Sequence, residues 1–249
     1  MKFLNNYNIL VNELEAGKRG EETTVECRIS SPSFKYPGYH WMKALFNFTV
    51  DIKTKHLIMM VTIWDINKEK IEQIKLQEKA QRDPLTHLWN REAFRLFVDQ
   101  KLLRIVDGKS YQAFFLMDID DFKSVNDTYG HGTGDKAICF VADALQSQFR
   151  REDAVARLGG DEFVAYMTKV PNMEDVLRKG KQICKSMNGF MDDGRVIPIS
   201  VSVGIAVAPH HGTVNSVLYE HADRALYYPK SLGKNQCQLF NPHWLEESK

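Results

Sequence analysis

The sequence predicts an α/β fold: a mixed sheet flanked by helices, preceded by a linker helix and a small β-rich segment. Three observations carry this. From residue 84 onward, stretches with helical periodicity alternate with short apolar runs of strand character. One tight hairpin, 154–168, breaks that alternation and places an antiparallel pair in the sheet. A charged run without Gly or Pro, Asn67 to Arg82, divides this region from the β-rich residues 25–66.

Taken in order, residues 1–16 carry a weakly amphipathic helical pattern (Leu4, Ile9, Leu10, Leu14). Val25–Ile29 reads as a short strand, and Ser31–Gly38, with Pro32 and Pro37, as a loop. Tyr39–Asp51 alternates with Trp41, Phe46 and Phe48, and His56–Trp64 is apolar and β-branched. The turn Lys53-Thr54-Lys55 joins these two as a hairpin. Asn67–Arg82 has strong helix formers but few apolar residues (Ile71, Ile74, Leu76, Ala80), which fits a connecting helix, solvated or paired with a second copy. Asp83-Pro84 stops it. There follow a helix around 90–106, a strand Gln112–Ile119, a helix around 135–150 and the hairpin. The remainder reads as a helix 173–187, a strand Ile197–Ala208, a helix 215–228 and a last strand near 236–240.

Charge nearly balances, 33 basic against 32 acidic residues in 249, so no bulk basic field invites nucleic acid or a membrane surface. Cys27, Cys139, Cys184 and Cys237 are scattered, with no CxxC or Cys/His cluster, and read as reduced thiols. No apolar run approaches the ~18 residues of a membrane span, and no signal segment opens the chain. The expectation is a soluble, cytoplasmic protein.

The chemistry concentrates around Arg-Leu-Gly-Gly-Asp-Glu-Phe, residues 157–163. Apolar runs enter and leave it. Gly159 and Gly160 permit a tight turn and close approach of a ligand, and Asp161 and Glu162 stand at the tip. The strand Phe114-Phe115-Leu116-Met117 runs straight into Asp118, Asp120 and Asp121. Burying apolar residues beside acids is costly unless the acids meet a cation or water. Capping the next turn explains one acid, not three. Together these carboxylates make a hard-oxygen site suited to Mg²⁺, which takes one or two carboxylates and completes its shell with phosphate oxygens and water.

Downstream, Asn126 and Asp135 bracket Gly130, Gly132 and Gly134. Such a pair offers the donor and acceptors that a guanine edge requires, or Asp135 simply N-caps its helix. Lys230 and Lys234 flank Gly233 and would neutralise a polyphosphate if placed near the acids; otherwise they are solvated lysines.

Five segments, DPLTHLWNR (83–91), MDIDDFKSVNDTYGHGTGD (117–135), RLGGDEF (157–163), SVSVGIA (200–206) and ADRALYYPKSLGKNQ (222–236), stand in the order and spacing of the GGDEF domain. The chain therefore resembles the diguanylate cyclases from about Arg82 to Phe240. The resemblance implies a mixed sheet related to polymerase palms and nucleotide cyclases, and synthesis of cyclic di-GMP from two GTP with release of two pyrophosphates. It implies Mg²⁺, with Mn²⁺ as an alternative, on the side chains of Asp118 and Asp161 and the Ile119 carbonyl. Asp161, as proton acceptor, and Glu162 become the catalytic pair. Asp121, Phe122 and Lys123 would hold phosphates at a helix start, Asn126, Asp135 and His131 the guanine, and Lys230 and Lys234 the triphosphate. Each domain would hold one GTP, so a homodimer is implied. Arg150 and Asp153, an RxxD with five residues between it and Gly159, would form the inhibitory product site; read alone, they are a surface ion pair.

Two residues depart from the family pattern. His87 stands where glycine is usual, and Pro229 lies inside ALYYPK, where it is expected to kink or end the helix and shift Lys230. Residues 20–66 resemble the C-terminal half of a PAS sensor, with Tyr39-His40-Trp41 and Trp64-Asp65-Ile66; His40 and His56 read as surface residues rather than ligands. The organisation expected is a partial PAS-like sensor segment (1–66), a signalling linker helix (67–82) and a catalytic domain (83–249). The alternative function is a non-catalytic module that binds GTP or cyclic di-GMP.

Overall fold

The computed structural model describes residues 23–30, 39–103, 111–231 and 233–245. The helical pattern expected over 1–16 and the loop at 31–38 lie outside them. The chain separates into two compact units, with the boundary between Ala80 and Gln81.

In the first unit β1 (Thr23–Ser30), β2 (Tyr39–Val50) and β3 (Leu57–Asp65) form an antiparallel sheet in the order β1-β2-β3. The turn between β2 and β3 is set by Asp51, whose Oδ1 accepts the N–H groups of Lys53 (2.7 Å) and Thr54 (2.9 Å). Helix α1 (Asn67–Ala80) follows, tied back to the sheet where the Asn67 carboxamide accepts the Trp41 N–H at 3.2 Å and Lys70 meets Glu26 at 2.6 Å. None of its residues is buried, as its sparse apolar content led us to expect.

The second unit holds a five-stranded mixed sheet in the order β10-β9-β4-β6-β5, made of β4 (Tyr111–Ile119), β5 (Ala154–Gly159), β6 (Glu162–Val170), β9 (Val201–Ala208) and β10 (Cys237–Leu239). Only β10 and β9 pair in parallel. Successive side chains of the central strand β4 enter opposite layers. Phe115, Met117 and Ile119 pack with α4 (His131–Gln148) and α5 (Met173–Ser186). Phe114 and Leu116 pack with α2 (Arg91–Leu102) and α6 (Asn215–Ser231). Covered on both faces, β4 is apolar from Ala113 to Met117 rather than alternating, and Phe114, Phe115, Leu116 and Met117 each contribute about 1.5–3 kcal/mol by their burial.

Several local expectations are corrected. A separate helix α3 (Phe122–Tyr129) follows β4, and α4 begins at His131, not near Asp135. Gly130, at φ 85°, separates the two helices and caps α4, so Asp135 lies inside the helix and does not cap it. A small hairpin, β7 (Phe190–Asp192) and β8 (Arg195–Ile197), precedes β9; Asp193 and Gly194 turn it at positive φ, and Ile197 belongs to it. Helix α6 does not end at Pro229 but continues to Ser231. Proline that close to a C-terminus forfeits a single helical hydrogen bond, and the Pro229 carbonyl accepts the Lys234 N–H at 2.8 Å.

His87 has φ 59° in the turn where its N–H donates to the Asp83 carbonyl at 2.9 Å. That left-handed conformation strains an L-residue and suits glycine. His87→Gly is expected to stabilise the protein by up to about 1 kcal/mol, net of glycine's greater freedom when unfolded. Thermal denaturation should show a melting temperature about 2–4 °C higher; a decrease would contradict the assignment of strain.

Candidate active site

Strand β4 ends where the hairpin between β5 and β6 turns. Asp118 lies across from Glu162 in the ladder, and the Ile119 N–H donates to the Asp161 carbonyl at 3.2 Å. Gly159 and Gly160, at φ 142° and 55°, make the turn possible. Asp118, Ile119, Asp161 and Glu162 are thereby brought to one end of the sheet, as the motif reading expected. Asp118 is mostly enclosed, and Lys230 from the last turn of α6 places Nζ 2.9 Å from its Oδ2. Burial lifts the Asp118 carboxyl above its ordinary range, Asp161 and Glu162 add to the rise, and Lys230 opposes it. A carboxylate cluster with too little positive charge is a fitting seat for a divalent cation. No three acidic, histidine or cysteine side chains among the described residues converge closely enough to hold a metal alone. A hexacoordinate Mg²⁺ would here need the backbone carbonyl and phosphate oxygens besides two carboxylates.

The three acids at the strand end have separate tasks. Asp120 is buried and structural: Oδ2 accepts the Ser200 hydroxyl (2.6 Å) and the Asn235 N–H (3.0 Å), and Oδ1 accepts the Ser202 hydroxyl (2.7 Å). It pins the loop after α6 to the sheet. Asp121 is exposed at φ 52°, precedes α3 without capping it through its side chain, and pairs with Lys234 at 2.6 Å. Phe122 and Lys123 open α3 beside it. Asp120→Asn turns an acceptor into a donor facing these groups. We expect a loss of about 1–2 kcal/mol, read as a lower denaturation midpoint; an unchanged midpoint would contradict the role given to Asp120.

Asn126, on α3, reaches across to α4. A Cβ on Gly134 would sit 1.9 Å from Asn126 Oδ1, so only glycine lets the carboxamide lie there. Asp135 follows directly on Gly134, exposed, as is His131 at the start of the same helix. The glycine-rich segment thus serves helix-to-helix approach at Gly134 and the break at Gly130.

Arg150 and Asp153 do not pair through their side chains. Asp153 Oδ2 accepts the Arg150 backbone N–H at 3.1 Å and Oδ1 accepts the Thr168 N–H at 3.0 Å. Both residues line an open cavity of about 550 Å³ with Arg178 and Lys179. Burial lowers the Lys179 ammonium below the usual lysine range.

Two supports of the tip were not foreseen from the sequence. Arg157 donates to the Gly160 carbonyl through Nε (3.0 Å) and Nη2 (2.8 Å), while Nη1 reaches Asp83 at 3.1 Å. Burial raises the Asp83 carboxyl, but hydrogen bonds from Thr86 and Arg157 outweigh it and hold the group low. Arg91 reaches the Leu158 carbonyl at 3.4 Å and lies 3.8 Å from Glu162. The segment 83–91 is therefore a brace for the turn that carries Asp161. Its charges were readable in sequence, but not their partners.

The domain is thus a mixed sheet covered by helices on both faces, with carboxylates gathered where its central strand meets a glycine hairpin. Residues 80–236 match the family "Diguanylate cyclase, GGDEF domain", and the chain belongs to it. The diguanylate cyclase TpbB of Pseudomonas aeruginosa is 33% identical over 183 residues, 72% of this chain and 42% of TpbB. The cyclic di-GMP phosphodiesterase NbdA of the same organism is 34% identical over 167 residues, 67% of this chain and 21% of NbdA. The solved structure of a TpbB delta-N mutant comprising only the GGDEF domain has a TM-score of 0.64 at 31% identity, covering 67% of this chain and 98% of that one. The coiled coil and GGDEF domain of DgcB from Caulobacter crescentus, in complex with c-di-GMP, also gives 0.64 at 27% identity, covering 70% and 93%. The chain spans less than half the length of the curated relatives TpbB and NbdA. No helix among the described residues is long and apolar enough to cross a membrane.

Proposed function

We propose that this chain condenses two GTP molecules into cyclic di-GMP, releasing two pyrophosphates, in a homodimer of GGDEF domains. The observation that carries the proposal is the meeting of Asp118, Asp161 and Glu162 at one sheet end, with Lys230 on Asp118. Asp118 and Asp161, with the Ile119 carbonyl, would hold Mg²⁺ or Mn²⁺. When bound, the metal polarises the α-phosphate and eases loss of the 3′-hydroxyl proton. Asp161 accepts that proton, and Glu162 supports the tip. The N–H groups of Asp121 and Phe122, with Lys123, receive phosphate oxygens at the start of α3. Lys230 and Lys234 exchange Asp118 and Asp121 for the triphosphate. Asn126 and Asp135 read the guanine edge, with His131 beside them.

One domain holds one GTP, so the second comes from another copy, each 3′-hydroxyl facing the other's α-phosphate. Catalysis is then mainly positioning and charge stabilisation. Arg150 and Asp153 would take the product as a feedback inhibitor, and the segment ahead of α1 would act as a PAS-like sensor in a cytoplasmic protein. A non-catalytic binding module is the second reading; the match to NbdA, named for the opposite activity, favours it.

The test incubates the protein with GTP and Mg²⁺ and separates the nucleotides. Cyclic di-GMP and pyrophosphate in a ratio of one to two are expected, and chelation of the metal should abolish both. Tight GTP binding without turnover would establish the second reading instead.

A further inference from the structure

Helix α4 starts without the usual local supports. Gly130 gives it no side-chain cap, and no acid stands in its first turn. Helix starts of this kind fray, because their first N–H groups have no partner within the helix.

A support comes instead from the small hairpin of β7 and β8. Phe190 and Asp192 alternate with Met191 along β7, so their side chains share one face. Thr133, Lys136 and Phe140 share one face of α4, three and four residues apart. These two faces meet. Asp192 Oδ2 accepts the Thr133 hydroxyl at 2.9 Å, and Oδ1 accepts the Lys136 ammonium at 2.5 Å. The Phe190 ring stacks on Phe140 with centroids 5.6 Å apart. The Asp192 side chain is 11% exposed, whereas Met191 on the other face is 64% exposed. Ile197, across from Phe190, is buried in the core and roots the hairpin there. Lys136 and Thr133 hold the Asp192 carboxyl below the usual carboxylate range, so it is ionised at neutral pH.

We infer that Asp192 is a positioning residue for purine recognition: through Thr133 and Lys136 it fixes the turn of α4 that carries Asp135, and so sets how sharply the site tells guanine from hypoxanthine. Asp135 lies between the two tied residues in sequence and is exposed. The neighbouring Gly134 is where the Asn126 carboxamide of α3 comes in against bare backbone. The turn is thus held by α3 at Gly134 and by β7 at Thr133 and Lys136. Guanine offers an acceptor its N1–H and its 2-amino group; hypoxanthine keeps the first and lacks the second. One carboxylate takes both only if it is held in place, because hydrogen bonds weaken steeply as their angle closes. Without Asp192 the helix start drifts, and the bond to the 2-amino group is lost first. The inference rests on the guanine reading proposed above and adds to it a residue from outside the site.

GTP and ITP are compared as substrates of the full chain, wild type and Asp192→Ala, with Mg²⁺. Wild type should favour GTP through KM. Asp192→Ala should raise KM for GTP about tenfold, keep kcat within about twofold and raise KM for ITP by less than about threefold. The preference for GTP therefore shrinks. Thr133→Val removes one tie and should shrink the preference about threefold; it decides alone if Asp192→Ala does not fold. A lower melting temperature with an unchanged preference overturns the positioning role, as do equal rises in both KM values. Equal use of GTP and ITP by the wild type removes the guanine reading and the inference with it. If the wild type turns over neither nucleotide, the cyclase reading falls, and the dissociation constants for GTP and ITP decide the inference by the same ratio.

Discussion

Alanine at Asp161 is expected to remove cyclic di-GMP synthesis while leaving the fold intact. The side chain sits at the hairpin tip, partly exposed, and packs into neither core. The turn itself is held by Gly159, Gly160 and the Arg157 clamp on the Gly160 carbonyl, which alanine does not disturb. Asp118 would keep Lys230 as partner but lose the second carboxylate needed to seat a metal. A catalytic metal supplies several kcal/mol of transition-state stabilisation, so the rate should fall by about a thousandfold or more. The melting temperature should stay within roughly 2 °C, as for a surface change of about half a kcal/mol. Residual turnover within tenfold of wild type would remove Asp161 from the chemistry.

The largest loss of stability is expected from Gly204→Ala. Gly204 lies in the middle of β9, across from Leu116 of β4. It faces α6 so closely that a Cβ would stand 2.0 Å from the Ala222 carbonyl oxygen and 2.5 Å from the Leu226 nitrogen. Both obstacles are backbone, so no side-chain rotation relieves them. Helix α6 must move off the sheet, opening the layer formed by Leu218, Ala222 and Leu226. Overpacking of this kind should cost about 3 kcal/mol or more, lowering the melting temperature by roughly 6–12 °C. Because α6 also carries Lys230, whatever folds should bind GTP more weakly. A decrease under about 2 °C would mean that the helix accommodates the methyl group and that its seat is not rigid.

Much of the sheet was legible because its strands are short apolar runs bounded by Gly, Pro or acids; β4 and β6 fall within two residues of expectation, whereas β9 begins four residues late, at Val201, because Ile197 pairs in the β7–β8 hairpin and Pro198 separates the two strands. Helix α3 escaped notice because eight residues are too few for a periodicity to declare itself. Its end at Gly130 decides that Asp135 is helical, something composition does not reveal. The acids at 118, 120 and 121 are alike in sequence. Only the neighbouring strand, with Ser200 and Ser202, assigns Asp120 to structure and leaves Asp118 for the site. Asp83 and Arg157 are distant in sequence and are joined only by tertiary packing.

The most direct test of the account is the initial rate of cyclic di-GMP formation per protomer, measured with saturating GTP and Mg²⁺ over a wide range of protein concentration. Two half-sites from two copies predict a specific activity that climbs with concentration and then levels off as dimers fill. Product formation at a constant specific activity, down to concentrations where the protein is monomeric, would contradict the two-copy site. Absence of product at every concentration would contradict the cyclase itself.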